Sequence, residues 1–345
     1  MYTLGIETSC DETACAILKG DSQILANVIS SSLAHHTPFG GVVPEIASRH
    51  CLEAIDLVYQ RTLRKARLKP KQIDLIAVTR GPGLIGSIFV GVSFAKALSF
   101  SLEIPLIGVN HIEAHLEANF ITRKKPSAFI GLIVSGGHTS LVRYQKNHYH
   151  LLGETVDDAI GEAYDKVAKI LGLGYPGGPV IDRLAQKGNP KSFSFTQPKQ
   201  EGRFDFSFSG IKTAVLNLYE RNQRKFRSQK FLQDFCASFQ EAAMQWVTQK
   251  TILACREERI KNIVVGGGVS ANLRLRELLR DEARTRGIEL FIPPFELTTD
   301  NAAMVARLGY SLFRKGLRSD FKMAADPSLK IASGGSVNGN FKLRH

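Results

Sequence analysis

Two hairpin patterns, about 125 residues apart, constrain the fold of this chain more than any other feature. Residues 2–8 alternate as a strand, "CDET" follows as a loop, and "ACAIL" resumes as a second strand. Residues 129–144 repeat this scheme as "FIGLIVS", "GGHT" and "SLVRY". One such hairpin in each half of the chain predicts a duplicated architecture.

Between and after the hairpins, strands alternate with helices. Three segments each read as a strand followed by a helix: "IDLIAVTRGPGLIGSIFVGVSFAKAL", "IPLIGVNHIEAHLEANF" and "IKNIVVGGGVSANLRLRELLRDEARTRG". In the third segment we expect Ser270 to cap the helix and Gly287 to end it. This alternation predicts an α/β protein.

The length of 345 residues predicts two domains, because single hydrophobic cores stop growing at roughly 250–300 residues. We expect an N-terminal lobe over residues 1–128, joined by the final helix at 300–325. A C-terminal lobe follows over residues 129–299, with an insertion at 187–231. The Gly/Ser/Asn-rich tail at 332–345 is typical of disorder.

The net charge of +13 favours a polyanionic partner, of which nucleic acid is the commonest. The insertion is basic and carries five phenylalanines before Ile211. It is either a solvated insertion anchored by phenylalanines or a surface that binds phosphates and stacks a base.

The longest apolar region is interrupted by Lys96, Glu103 and Pro105, so we expect a buried helix and a strand rather than a membrane span. No signal peptide is visible, and the five cysteines show no CxxC spacing. These features favour a reducing cytoplasm.

Glycine-rich loops follow several of the apolar strands. "GPGLIG" (81–86) matches a dinucleotide-binding pattern, but no acidic residue ends the next strand, so we reject that function. Three further loops lie at 134–139, 174–182 and 264–272. Together with Asp11 and Glu12 at the first hairpin tip, they predict a nucleotide cleft between two lobes.

His111 and His115 lie four residues apart and would share one face of a helix. Asp300, at the start of the last long helix, is a candidate third ligand, although an acid there could equally serve as a helix cap. Two imidazoles and one carboxylate suit Fe(II), and zinc less distinctively.

An ordered set of longer motifs resembles one known family. These motifs are "GIETSCDET", "GGVVPEIASRHC", "GPGLIGS", "NHIEAH", "SGGHT", "DDAIGEAYDKVAKILGLGYPGGPVID", "FDFSFSGIKTA", "GGGVSANLRLR" and "TDNAAM". They resemble the tRNA adenosine threonylcarbamoyltransferase family, whose members were formerly labelled O-sialoglycoprotein endopeptidases. The resemblance extends to Ile331, with Cys51 at a position where histidine is common.

The resemblance implies the actin/Hsp70/sugar-kinase (ASKHA) fold, which has two lobes of related topology. It implies a divalent metal, Fe(II) or alternatively zinc, held by His111, His115 and Asp300. It also implies a substrate site formed by Val134, Ser135, Gly136, Gly137, His138, Asp165, Gly178, Asp182 and Asn272.

By resemblance, a threonylcarbamoyl group moves from threonylcarbamoyl-AMP to the N6 amine of the adenosine 3′ to the anticodon in ANN-decoding tRNAs. AMP is released. An adenine amine is a weak nucleophile, so Asp11 and Glu12 are candidates for a base. The implied partners are tRNA, a smaller ASKHA paralogue and a P-loop ATPase, with no membrane involved.

Three other functions remain open from the sequence. A small-molecule kinase of the same fold gives no reason for the histidine pair. A zinc protease requires H-E-x-x-H, whereas this chain has H-I-E-A-H. A non-catalytic partner subunit could dispense with His111, His115 and Asp300, all of which are present.

Overall fold

The computed structural model describes residues 1–196 and 202–331, which belong to two compact units. Unit 1 comprises Met1–Lys125 and the chain from Pro294 onward, and unit 2 comprises Pro126–Pro293. The tail at 332–345, for which the sequence predicts disorder, lies outside the described residues.

The secondary structure alternates as the sequence predicts. The strands are β1 (Tyr2–Glu7), β2 (Glu12–Lys19), β3 (Gln23–Ser31), β4 (Leu75–Gly81), β5 (Leu106–Asn110), β6 (Ala128–Val134), β7 (Thr139–Gln145), β8 (His148–Glu154), β9 (Asn262–Gly266) and β10 (Glu289–Phe291). The helices are α1 (Leu33–His36), α2 (Pro44–Ala66), α3 (Ile85–Leu102), α4 (His111–Glu117), α5 (Ile160–Ile170), α6 (Gly177–Ala185), α7 (Ser209–Asn222), α8 (Gln229–Glu257), α9 (Leu273–Arg286) and α10 (Ala302–Arg314).

The two units contain sheets of the same topology. Unit 1 has the strand order β3-β2-β1-β4-β5, and unit 2 has the corresponding order β8-β7-β6-β9-β10. In each sheet three antiparallel strands are followed by two strands parallel to the first one. The predicted duplication of the hairpins is therefore confirmed, as is the α/β class.

In unit 1 the sheet is covered on both faces, and the side chains of β4 alternate between them. Leu75 and Ala77 pack with α10, whereas Ile76 and Val78 pack with residues of α2 and α3. Gly5 in β1 allows α10 to approach, since a Cβ there would lie 2.1 Å from the carbonyl oxygen of Ala302. This close packing places the start of α10 beside the carboxyl end of the sheet.

Helix α3 is the one helix among the described residues whose length and apolar composition would suffice to cross a membrane. Buried helices of protein cores can have the same length and apolar composition. Ile88, Val92 and Ala95 of α3 belong to a buried hydrophobic cluster of unit 1. Phe89 and Phe100 on its other face are exposed.

In unit 2 the phenylalanines of the predicted insertion are core residues. Phe206 and Phe208 are fully buried, and Phe193, Phe195 and Phe204 pack against the same core. Of the two alternatives that the sequence left open, anchoring by the phenylalanines is confirmed, and these rings do not form a base-stacking surface. They anchor the segment because burial of large aromatic rings is strongly favourable.

The structure also corrects one helix start. Asn272, not Ser270, caps α9, because its Oδ1 accepts the backbone N–H of Leu275 at 2.9 Å. Ser270 lies in the tight turn just before it. The predicted end of α9 is confirmed, since Gly287 adopts the left-handed conformation with φ of 62°.

Candidate metal centre and nucleotide site

Three parallel strands of unit 1 end at the same edge of the sheet. The last residue of β1 is Glu7, Thr79 lies near the end of β4, and Asn110 ends β5. Asn110 also begins α4, because its Oδ1 accepts the N–H groups of Ile112 and Glu113. This cap starts the helix at His111 and so places both histidines at the carboxyl edge of the sheet.

The candidate metal centre consists of His111 and His115 on α4 and Asp300, two residues before α10. Nε2 of His115 lies 3.0 Å, and Nε2 of His111 lies 3.6 Å, from Oδ1 of Asp300. Within residues 1–196 and 202–331, this is the one group of three or more His, Cys, Asp or Glu side chains close enough to hold a metal ion.

The separations of 3.0 and 3.6 Å are close to those between ligands of one divalent cation, and all three ligand atoms lie within 4.8 Å of one another. Ligand atoms about 2.1 Å from a metal lie roughly 3.0–3.5 Å from each other. His115 is buried, Nδ1 makes no hydrogen bond within the described chain, and Nε2 lies 3.0 Å from Oδ1 of Asp300 without the geometry of a hydrogen bond. Buried imidazoles normally have partners, so a role as a metal ligand explains this arrangement.

Asp300 does not serve as the helix cap that the sequence left open. Asn301 caps α10, because its Oδ1 accepts the N–H of Met304 at 3.1 Å. The carboxylate of Asp300 is directed instead at the two imidazoles.

Glu7 contacts the candidate metal ligand His111, although the sequence analysis did not single Glu7 out. It is fully buried and accepts three hydrogen bonds, from the N–H of Ser9, the hydroxyl of Thr79 and Nδ1 of His111. A carboxylate only accepts, so Nδ1 of His111 carries the proton and Nε2 faces Asp300. Burial alone would raise the pKa of Glu7, but His111 and Thr79 hold it below its usual value.

The electrostatics of the centre favour a cation. Burial opposes the charge of His111, yet Asp300 and Glu7 outweigh it and raise the His111 pKa to about 9. Burial, followed by the charges of Asp300 and Asp11, raises the pKa of Glu12 to about 10. Negative charge is thus concentrated beside the two imidazoles, and a divalent cation would replace protons held there.

A series of hydrogen bonds through Ser32 and His36 holds the acidic hairpin tip in place. The carbonyl of Asp11 accepts both the N–H and the hydroxyl of Ser32, whose hydroxyl oxygen lies 2.9 Å from Nε2 of His36. Nδ1 of His36 accepts the N–H of Val43. Burial and the charges of Asp11 and Asp300 raise the pKa of the neighbouring Cys10 thiol far above its usual range, which disfavours the thiolate that a nucleophile needs.

In unit 2 two glycine loops follow the parallel strands β6 and β9. They touch each other, since a Cβ at Gly267 would lie 2.4 Å from the carbonyl oxygen of Val134. Ser135 accepts the N–H of Gly161 through its carbonyl and the N–H of His138 through its hydroxyl. Ligands of α/β sheets commonly bind at this edge, outside the carboxyl ends of the strands.

Four glycines around these loops are not required by the fold. A Cβ would meet nothing within 4 Å, and φ lies outside the left-handed region, at Gly136, Gly137, Gly178 and Gly268. Alanine would therefore fit at each position in the protein alone. Glycine is useful there because it leaves space for a ligand to approach the backbone closely.

Asp182 and Asn272 meet in one network whose centre is Gln240 of α8. Nδ2 of Asn272 lies 2.8 Å from Oε1 of Gln240 and 3.2 Å from Oδ1 of Asp182. Nε2 of Gln240 donates to the same Asp182 oxygen at 3.0 Å. Asp165 lies apart from this network and accepts the N–H of Gly177 at 2.7 Å, which holds the start of α6.

The two groups of residues indicated by the sequence thus lie in different units. His111, His115 and Asp300 come together in unit 1. Asp11 and Glu12 lie near this centre, since the charges of Asp300 and Asp11 contribute to the raised pKa of Glu12. The residues of the proposed substrate site lie in unit 2. The sequence analysis missed Glu7, Asn110 and Gln240; a charged residue within an apolar strand was the one available signal, for Glu7.

Comparisons with known proteins indicate one family. The sequence model described as "tRNA N6-adenosine threonylcarbamoyltransferase" matches residues 23–307. The chain is 49% identical to the tRNA N6-adenosine threonylcarbamoyltransferase of Bacillus subtilis (strain 168), covering 96% of both chains. It is 49% identical to the protein of the same name from Thermosipho africanus (strain TCF52B), covering 96% of this chain and 100% of the relative.

Solved structures show the same fold at low identity. HypF of T. kodakarensis superposes with a TM-score of 0.60 at 16% identity, covering 91% of this chain and 48% of HypF. Component A of the (R)-2-hydroxyglutaryl-CoA dehydratase of Acidaminococcus fermentans gives a TM-score of 0.51 at 17% identity, covering 90% of this chain and 98% of that one. The predicted ASKHA fold is confirmed by these neighbours.

Proposed function

The chain belongs to the tRNA N6-adenosine threonylcarbamoyltransferase family, and from this premise we propose how its residues divide the reaction. The enzyme transfers a threonylcarbamoyl group to the N6 amine of adenosine in tRNA. The reaction needs a site for the activated donor, a means of orienting the acyl group and a surface for tRNA.

We assign the orientation of the acyl group to the candidate metal centre, with Fe(II) favoured and zinc as the alternative. His111, His115 and Asp300 would hold the ion and leave coordination positions open, as two-histidine, one-carboxylate sets do. When bound, the metal supplies Lewis acidity and oxygen-binding positions that suit the carboxylate and hydroxyl of a threonine. Glu7 keeps His111 in the tautomer that presents Nε2 to the ion.

We assign the AMP portion of threonylcarbamoyl-AMP to unit 2. This assignment rests on the four glycines that the fold does not require, Gly136, Gly137, Gly178 and Gly268. Without side chains there, the backbone can approach a phosphate or a base closely. The loop from Val134 to His138, with Asp165 and Gly178, would surround the nucleotide. Asp182 offers a carboxylate to ribose and adenine donors, and Asn272, whose Nδ2 already contacts Gln240 and Asp182, offers its amide oxygen.

Asp11 and Glu12 are the candidates for the base that assists the adenosine amine. Burial, followed by the charges of Asp300 and Asp11, raises the pKa of Glu12 and favours its protonated form, which is the poorer proton acceptor. We therefore favour Asp11. The variant Asp11→Asn should lower the transfer rate by about 10²–10⁴, whereas Glu12→Gln, which imitates the protonated acid, should retain most of the activity.

The acceptor is tRNA, and we propose that exposed basic residues bind its phosphates. The end of α7 and the turn before α8 expose Arg221, Arg224, Lys225 and Arg227, and the whole chain carries a net charge of +13. We further propose that a smaller ASKHA paralogue and a P-loop ATPase cooperate with the enzyme in the cytoplasm, because the family resemblance implies these partners.

The other functions fit less well. A small-molecule kinase of this fold would not need the histidine pair, and the relatives that match 96% of the chain are transferases. A zinc protease of the H-E-x-x-H type would need a glutamate directly after the first histidine, whereas this chain has Ile112 there. A non-catalytic subunit would not need the complete set of three ligands.

The proposal can be tested with the purified enzyme, its partner proteins, unmodified tRNA and threonylcarbamoyl-AMP labelled in the threonine. Label should pass to tRNA with release of AMP. Chelator treatment should abolish this transfer, and Fe(II) should restore it. Replacement of Gly136 by valine should weaken donor use while leaving metal content unchanged. Transfer that survives complete metal removal would contradict the proposed role of the centre.

A further inference from the structure

The chain after α10 runs along the sheet from the first residue of β5 to the carboxyl end of β4, the end that carries the candidate metal centre. We call residues 319–330 the C-terminal strap. The N–H of Ser319 donates to the carbonyl of Leu106 at 2.8 Å, and the N–H of Asp326 donates to the carbonyl of Arg80 at 2.8 Å. The carbonyl of Pro327 accepts the N–H of Gly83 at 3.2 Å. The strap is therefore attached to β5, to β4 and to the loop after β4.

Two glycines show how closely the strap is docked. A Cβ at Gly81 would lie 1.8 Å from the carbonyl oxygen of Asp326, and a Cβ at Gly108 would lie 2.2 Å from Sδ of Met323. A side chain at Gly81 would displace the backbone of the strap, whereas one at Gly108 would displace the side chain of Met323. Gly81 belongs to the "GPGLIG" loop. Packing against the strap explains why glycine is needed at this position, without any bound dinucleotide.

The strap ends on Asn110, the residue that begins the metal-ligand helix. Nδ2 of Asn110 donates to the carbonyls of Leu329 and Lys330, at 3.4 and 3.1 Å. Its Oδ1 accepts the N–H groups of Ile112 and Glu113 in the first turn of α4. The buried Asn110 side chain thus donates hydrogen bonds to the strap through its amide nitrogen and accepts hydrogen bonds from α4 through its amide oxygen.

We infer that Asn110 is a positioning residue through which the C-terminal strap holds the ligands of the metal centre in place. His111 follows Asn110 directly and His115 lies one turn further on, so movement of the cap moves both imidazoles. This inference rests on the proposed metal function. If docking of the strap favours the metal-binding geometry, metal binding must favour docking of the strap by the same factor.

Substitutions can separate the two halves of the Asn110 side chain. Asn110→Ser retains an oxygen that caps α4 but removes the donor to Leu329 and Lys330. Asn110→Ala removes both interactions. A merely structural cap would make serine nearly equivalent to asparagine, whereas the positioning role requires serine to fail in metal binding although the helix remains capped.

The test uses the full chain with Zn²⁺ as the probe. Affinity is measured by competition with a chromogenic chelator, and hydrogen exchange is followed in peptides that cover the strap. In the wild type, saturating Zn²⁺ should slow exchange in the strap. In Asn110→Ser the affinity should fall about tenfold, as for other groups that orient metal ligands, and the slowing should disappear. Urea unfolding confirms that the variant is folded.

Each alternative result has a definite meaning. If Asn110→Ser binds Zn²⁺ as tightly as the wild type, or if Zn²⁺ leaves exchange in the wild-type strap unchanged, the coupling is overturned while the proposed function stands. The wild-type exchange measurement decides the question even if the variant does not fold. If the wild type binds neither Zn²⁺ nor Fe(II), the proposed metal function fails, and the inference fails with it.

Discussion

Oε2 of Glu7 lies 3.2 Å from Nδ1 of His111, and this hydrogen bond directs the opposite ring nitrogen toward Asp300. Three donors converge on the buried Glu7 carboxylate, including the hydroxyl of Thr79 at 2.6 Å. A glutamine at this position would present an amide donor to one of them. We therefore expect Glu7→Gln to lower metal affinity by about 10–100-fold, as measured by competition with a chelator.

Glu117→Gln is the matched control for that experiment. Glu117 is also a buried glutamate of unit 1, but it pairs with Lys125 and lies at the other end of α4. Its replacement should lower stability while leaving metal affinity within about twofold of the wild type, because Glu117 does not orient a metal ligand. Equal losses of affinity in both variants would mean that Glu7 acts only through folding.

Gln240 should determine how well the nucleotide site of unit 2 binds AMP. Gln240→Leu would leave the amide of Asn272 and the carboxylate of Asp182 without their shared partner. Removing a hydrogen bond of this kind costs about 1 kcal/mol, so we expect the dissociation constant of AMP to rise roughly fivefold. Isothermal titration calorimetry measures this dissociation constant in the wild type and in the variant.

Gln245→Leu provides the comparison on the same helix. Gln245 is exposed, and its Nε2 donates to Oε1 of Glu241 at 2.7 Å. Its replacement should leave AMP binding unchanged. An equal effect of both leucine variants would exclude a specific role for Gln240.

The ion pair between Glu241 and Arg274 should make stability depend on pH. Arg274 donates from Nε and Nη2 to the two carboxylate oxygens, and these bonds hold the pKa of Glu241 below its ordinary value of 4.5. A lowered pKa means that the stabilisation is complete above the unfolded-state pKa and is lost as the pH falls through the folded-state pKa.

We therefore expect Glu241→Gln to reduce the free energy of unfolding by about 0.5–1 kcal/mol at pH 7, since the pair is partly exposed. The difference from the wild type should shrink below pH 4.5. Urea unfolding at pH 7 and pH 4 measures both values. A difference that grows on acidification would contradict the assigned direction of the pKa shift.

Binding of tRNA should depend on salt through the exposed turn between α7 and α8. The double variant Arg224→Ala, Arg227→Ala should weaken binding and reduce the slope of log affinity against log salt by about one for each phosphate that is no longer neutralised. Arg286→Ala is the control, because Arg286 is already paired with Glu282 at 2.9 Å. Unchanged slopes in the double variant would place the tRNA surface elsewhere.

The sequence predicted those features that depend on local pattern. The two hairpins and the strand–helix alternation follow from the spacing of apolar residues, and the spacing of His111 and His115 follows from the helical period. Asp300 could be proposed as a ligand, but nothing local distinguished it from a helix cap. Its approach to His115 on a distant segment, together with the capping by Asn301, distinguishes the two roles.

The features that the sequence did not reveal depend on long-range packing. Glu7 meets His111 across 104 positions of sequence, and Asn110 meets Lys330 across 220. The phenylalanines near the insertion could line a surface or a core, and the structure places them in the core. Pattern rules describe neighbours along the chain, so they cannot decide which distant residue a polar or aromatic side chain contacts.

The most direct test of the central claim is the amount of threonylcarbamoyladenosine in total tRNA, determined by mass spectrometry of nucleosides from cells depleted of this protein. We predict that the nucleoside disappears on depletion, that the wild-type gene restores it, and that His115→Ala, produced at the same level, does not. Persistence of the nucleoside after depletion, or full restoration by His115→Ala, would contradict the assignment of a metal-dependent transferase.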